Sequence, residues 1–245
     1  GRSFVGIGRG AFLDFLNIKS EKPISAVAEA IEIIQNLTRG LKKPFHGEIF
    51  SLKEGAFFRW NDEHRKIPVM VGTWGKKMST LAGEKADEVK ASPLWNSDYA
   101  RTLRSQIDQG AISAGRAPSE IGLTLGVLTS IHNDSDVAKE YARNSLAIYL
   151  PHLYPMTEVM GVPANEIDNV RKLSNLGKYS EASKLISDET LNNFSLYGSP
   201  GEIRSKITSL IDTAPVDKIE FGTPHGPNSF EAINLLKNEV IPWFS

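Results

Sequence analysis

The chain has 245 residues, 40% of them hydrophobic, enough for one sizeable core or at most two small ones. Lys and Arg number 28 against 29 Asp and Glu, so no net field draws it to nucleic acid or to an anionic membrane surface. The absence of cysteine excludes a disulfide framework, a thiolate metal site and a cysteine nucleophile, and it fits a reducing, cytoplasmic setting.

Residues 4–7 form an apolar run that reads as a buried strand and ends in Gly8-Arg9-Gly10. Ile24, Val27, Ile31 and Ile34 then recur at helical spacing behind Pro23, and Gly40 follows the helix end. Residues 44–60 suit a β-hairpin with its turn around Lys53-Glu54-Gly55. A second buried strand, residues 67–71, breaks at Gly72-Thr73-Trp74-Gly75 before a helix through Ala86, and residues 87–91 make a short third strand.

A helix over residues 96–114 leads to the longest strand, residues 121–131, with Asp134 placed to cap the helix after it. Residues 151–197 are interrupted by proline, largely helical and without a strand signal, which predicts a helical insertion. Ser199-Pro200-Gly201-Glu202 opens another helix in capping-box fashion, residues 218–221 are the fifth strand, and residues 230–240 close the chain as a helix. Strands alternating with helices argue an α/β fold with a parallel sheet in one domain spanning 1–245. Five strands fit either an open doubly wound sheet or a barrel without its first three units.

Two strand ends run into glycine-rich turns, residues 6–10 and 72–77. There backbone N–H groups can approach a phosphate, and Lys76 and Lys77 add charge. Taken singly, each is a weak signal that a tight strand-to-helix turn explains better, and only the pair together puts the two readings level. A third such stretch, residues 221–228, presents His225 in a loop stiffened by two prolines, which makes it the candidate catalytic imidazole. His46, His64, His132 and His152 have no metal-ligand spacing, and no metal is expected.

Residues 4–10, 69–87, 199–211 and 221–227, above all Leu-Ala-Gly-x-x-Ala-Asp at 81–87 and Phe-Gly-Thr-Pro-His-Gly-Pro at 221–227, resemble the luciferase-like flavin and deazaflavin enzymes. Within that group the resemblance is to the methylenetetrahydromethanopterin reductases. It implies a (β/α)₈ TIM barrel, here lacking its first three strand–helix units, that holds coenzyme F420 at its strand ends and passes a hydride to a pterin-like small molecule. By position it implies that Gly8, Arg9, Gly10 and Asp14 lie by the cofactor's ring and side chain. Gly72, Thr73, Trp74, Gly75, Lys76 and Lys77 would cradle its phosphate, with Ser92 facing the substrate side and His225 at the rim. The family tends to form homodimers. An FMN-dependent monooxygenase of the same barrel is the alternative, and a non-enzymatic barrel subunit is a third reading.

Overall fold

The computed structural model describes residues 3–10, 13, 16–19, 21–59 and 66–244, which fall into two compact units. The first comprises Gly1–Lys90 and Leu103–Leu123, and the second Ala91–Thr102 and Thr124–Ser245.

In the first unit, strand β1 (Val5–Gly8) precedes helix α1 (Pro23–Thr38). A small antiparallel ribbon, β2 (Phe45–His46) and β3 (Ser51–Leu52), leads to β4 (Val69–Gly72), α2 (Lys76–Lys85) and β5 (Glu88–Ala91). Helix α3 (Ser97–Ser113) enters this unit at Leu103. Strands β1, β4 and β5 run parallel in the registers Val5↔Val69 and Met70↔Glu88, and Val69, Val71 and Val89, which share one face, are completely buried, while Met70, Glu88 and Lys90 on the other face are partly exposed. The α1 stripe turns Val27 and Ile31 into the core.

The ribbon's turn falls at residues 47–50, earlier than the expected Lys53-Glu54-Gly55. Its position follows from Glu29 on α1, whose carboxylate accepts the backbone N–H groups of Glu48 (2.6 Å), Ile49 (3.0 Å) and Phe50 (2.8 Å). Gly55 still lies in a turn of its own, with φ +81°.

Residues 81–87 explain themselves through packing. Ala82 and Ala86 are fully buried, and a Cβ on Gly83 would collide with the Ile107 carbonyl of α3, while one on Gly110 of α3 would collide with the Thr80 carbonyl of α2. The two backbones touch because both positions are glycine. Arg116 donates to the carbonyls of Gly83 (3.0 Å) and Ala86 (2.7 Å), and Asp87 accepts the Val69 N–H at 2.9 Å while pairing with Lys66.

In the second unit, β6 (Gly122–Ile131), α4 (Ser135–Tyr149), α5 (Met156–Val159), α6 (Ala164–Asn175), α7 (Tyr179–Ser183) and α8 (Asp188–Phe194) are followed by β7 (Ser195–Gly198). Helix α9 (Pro200–Thr213), β8 (Lys218–His225) and α10 (Ser229–Leu235) complete it. Asp134 caps α4, accepting from Asp136 (2.9 Å) and Val137 (3.3 Å), and Ser199 with Glu202 forms the capping box of α9. The insertion is helical only through Phe194. Its last residues are a sixth parallel strand, too short to show alternation, that pairs Leu128↔Ser195 through Ile131↔Gly198. Strand β8 pairs with β6 from Thr124↔Lys218 to Leu128↔Gly222, then slips by one residue to put His225 opposite Ser130. Val127, Ile131 and Leu196 pack with Ile203 and Ile207 of α9 and Ala232 of α10, so the odd-numbered face of β6 is the helix-covered one.

Candidate functional site

The first unit carries the residues expected to hold the cofactor. Gly8 and Gly72 end β1 and β4 in register, and a Cβ on Gly8 would lie a tight 3.1 Å from the Gly72 carbonyl oxygen, whereas one on Gly72 would find room. Arg9 is exposed, and Gly10 takes φ +98°, a backbone region that glycine enters without strain. Asp14 lies outside the described residues.

After β4, Thr73 is buried, donates its N–H to the Lys90 carbonyl (2.9 Å) and accepts the Gly75 N–H at its hydroxyl (3.2 Å), fixing the turn through Trp74. Gly75 is the N-cap of α2, and no side chain caps this helix. Lys76 and Lys77 are exposed in its first turn, where no acidic residue stands. A helix N-terminus already carries about +0.5 elementary charge, so two ammonium groups there cost stability until an anion arrives. Such a departure from local rules is what a binding site looks like.

The second unit holds the other two predicted residues. Ser92 opens a segment that Leu94 pins to the middle of β6, donating to the Gly126 carbonyl at 3.0 Å, while Trp95 donates to Asn193 at 2.8 Å. His225 ends β8 with φ +74°, a conformation that a non-glycine residue holds at a cost of about 1–2 kcal/mol. Its Nε2 lies 2.9 Å from the Phe221 carbonyl oxygen. A carbonyl only accepts, so Nε2 carries the proton and Nδ1 remains an acceptor in the neutral ring. Glycines admit the loop to the sheet: a Cβ on Gly222 would sit 2.7 Å from the Val127 oxygen, and one on Gly226 (φ +146°) 2.7 Å from the Ile131 oxygen.

The sequence reading passed over Ser130 and Tyr197. They are register partners at the ends of β6 and β7, and Ser130 is fully buried. The available signal was Thr129-Ser130 closing an otherwise apolar strand. Around them the ionic groups are engaged: Asp188 is held below its usual range by hydrogen bonds from Lys139 and then Arg143, and Glu202 is lowered first by the Ser135 hydroxyl and then by the Ser199 N–H. Burial pushes the Lys206 ammonium down, and its Nζ lies 3.9 Å from the Tyr197 ring centroid while donating to the Tyr197 carbonyl. Among the described residues no group of three or more His, Asp or Glu could hold a metal ion, and no helix is long and apolar enough to cross a membrane.

Comparison with known proteins gives consistent likenesses. The family model for luciferase-like monooxygenases matches residues 1–217. The 5,10-methylenetetrahydromethanopterin reductase of Archaeoglobus fulgidus is 30% identical over 99% of this chain and 74% of its own length. That of Methanolobus tindarius is 29% identical over 98% of this chain and 74% of its own length. The solved coenzyme F420-dependent tetrahydromethanopterin reductase of Methanopyrus kandleri superposes with a TM-score of 0.87 at 24% identity, covering all of this chain and 75% of that one. An F420-dependent secondary alcohol dehydrogenase, solved with an F420–acetone adduct, follows at a TM-score of 0.74 and 19% identity, covering 99% of this chain and 69% of that one. The fold is therefore that of the luciferase-like TIM-barrel enzymes.

Proposed function

The chain belongs to the luciferase-like monooxygenase family, and from that premise we propose that it is a coenzyme F420-dependent reductase acting on methylenetetrahydromethanopterin or a related small molecule. The observation that carries this reading is the N-terminus of α2, without a side-chain cap and flanked by Lys76 and Lys77. It fits the phosphate of such a cofactor, because an anion there answers both the helix dipole and the two ammonium groups. The likeness to the Archaeoglobus fulgidus reductase supports the choice of cofactor and substrate.

When bound, the deazaflavin supplies the hydride chemistry, and the protein supplies placement and electrostatics. Gly72, Thr73, Trp74 and Gly75 hold the turn that presents the α2 N–H groups, and Lys76 and Lys77 neutralise the phosphate. Gly8, Arg9 and Gly10 would flank the cofactor's ring and side chain. Ser92 stands on the substrate side, and the His225 imidazole, its Nε2 fixed on the Phe221 carbonyl, offers Nδ1 as a proton acceptor at the rim. We further propose a cytoplasmic homodimer, a reading supported by Phe230, Ile233 and Trp243 standing exposed on the second unit, as light scattering on the purified protein would test.

The test of the cofactor reading is an absorbance titration of the protein with F420 and, separately, with FMN. Binding of F420 is expected, and Lys76→Ala with Lys77→Ala together should weaken it about tenfold and flatten its dependence on salt. A protein that takes FMN and ignores F420 would make the monooxygenase alternative the correct one.

A further inference from the structure

The outward face of α9 in the second unit carries two charged groups that the chain itself leaves unmatched. Ile203, Ile207 and Leu210 turn one side of the helix into the core, so Gly201, Ser205, Thr208 and Asp212, spaced four, three and four residues apart, line the side turned to solvent. They floor an open groove, with Arg204 and Trp243 along it. Asp212 is exposed and has no hydrogen-bond or ion-pair partner among the described residues. Arg204 is a cation fixed in place and only half used. Its Nη1 donates to the Glu239 carbonyl at 2.8 Å and its guanidinium lies 5.0 Å from the Trp243 ring centroid, which leaves Nη2 and Nε without an acceptor. Eight residues of helix hold the two groups about 12 Å apart along the axis, too far to pair with each other.

A second copy of the same helix supplies what each lacks. Positions 204 and 212 lie four residues either side of Thr208. Laid antiparallel across a two-fold axis at Thr208, two α9 helices therefore set Arg204 of each copy level with Asp212 of the other. The same register sets Ile211, 51% exposed, opposite Ser205 of the other copy, a bulky apolar side chain over a small one. Parallel packing would bring like charges together instead. Closing the face orphans no hydroxyl, because Ser205 and Thr208 already donate to the carbonyls of Gly201 and Arg204, each at 3.1 Å. A small polar ligand would find neither hydroxyl free to donate, whereas Trp243, 67% exposed, is an aromatic anchor of the kind protein contacts use.

We propose that this face of α9 is the contact through which two copies of the chain associate, Arg204 of each copy pairing with Asp212 of the other beside Trp243. That a second copy binds rests on the homodimer reading, and where it docks rests on α9.

Sedimentation velocity over a range of protein concentrations, on the wild type and two charge reversals, tests the contact. Asp212→Arg and Arg204→Asp should each weaken the dimer about tenfold or more, because like charges then face each other twice across the two-fold axis. An equal mixture of the two variants should associate as the wild type does, since only the mixed dimer pairs every charge with its opposite. Asp212→Arg, at an exposed position, should keep its fold, as a melt checks, and carries the test even where Arg204→Asp does not fold. A wild-type dimer that Asp212→Arg leaves unchanged, or two folded variants that stay apart when mixed, overturns the α9 contact and leaves the homodimer reading in place. A wild-type chain that is monomeric at every concentration overturns both.

Discussion

Two stretches of seven residues carry the resemblance read from the sequence, the first inside and the second beyond the residues 1–217 that the family model matches, and they do different jobs. Residues 81–87 belong to a seam between two helices: Gly83 and Gly110 let α2 and α3 touch, Ala82 and Ala86 fill the space beneath, and Arg116 and Asp87 tie off the ends. Residues 221–227 end a strand in backbone that only glycine or strain can supply, with His225 held at φ +74°. The first motif is conditioned by shape and has nothing to bind. The second holds a side chain in a costly conformation, which points toward use. Recognisable motifs are thus of two kinds, and geometry rather than their specificity as text separates them.

The sharpest way to break the comparison is Gly83→Ala. The new methyl meets the backbone of α3, which cannot swing aside as a side chain would, so overpacking should outweigh the ~1 kcal/mol that alanine gains as a helix former. A net loss of about 2–3 kcal/mol is expected, lowering the melting temperature by about 5–10 °C. The variant's residual folded fraction should bind F420 normally. Stability within about 0.5 kcal/mol of wild type would show that the seam is looser than its glycines imply.

His225→Gly should act with the opposite sign. Glycine relieves the positive φ, offset in part by the lost hydrogen bond to Phe221 and by greater chain entropy when unfolded, so stability should hold or rise by up to ~1 kcal/mol. Turnover should fall at least tenfold if the imbalance between strain and use is real. A variant that keeps its activity would reduce the second motif to another piece of packing.

Much of this frame was legible in sequence for simple reasons. The strand at residues 69–72 is an unbroken apolar run and that at residues 122–131 a mostly apolar one, and Asp134 and Ser199 announce their helices through short-range hydrogen bonds. What was missed depends on partners far along the chain. Strand β7 has four residues and exists because β6 runs beside it, and Ser130 looks like the tail of an apolar strand until its register with Tyr197 is seen. Likewise the glycines of the two motifs were readable as glycines, while the carbonyls they make room for were not.

The smallest effect comes from a contact of that long-range kind, the Glu29 clamp on the ribbon turn. Loss of hydration raises this carboxyl's pKa, but the N–H groups of Phe50, Ile49 and Glu48 outweigh that and hold it below its ordinary value. A carboxyl lowered on folding stabilises above its unfolded value, near 4.3, and that contribution drains away as pH falls through the folded value. Glu29→Gln keeps one acceptor oxygen without the charge, so its melting temperature should fall less steeply than wild type's below about pH 4.3, while Asp188 and Glu202, also lowered, still give both proteins an acid-sensitive component. Gly83→Ala, a defect of shape, should instead track the wild-type pH curve at a constant offset. Melts from neutral pH down to about pH 3 check both at once: parallel curves for Glu29→Gln would mean that the turn is held by its backbone alone, and a pH-dependent offset for Gly83→Ala would mean that the helix seam is coupled to charge after all.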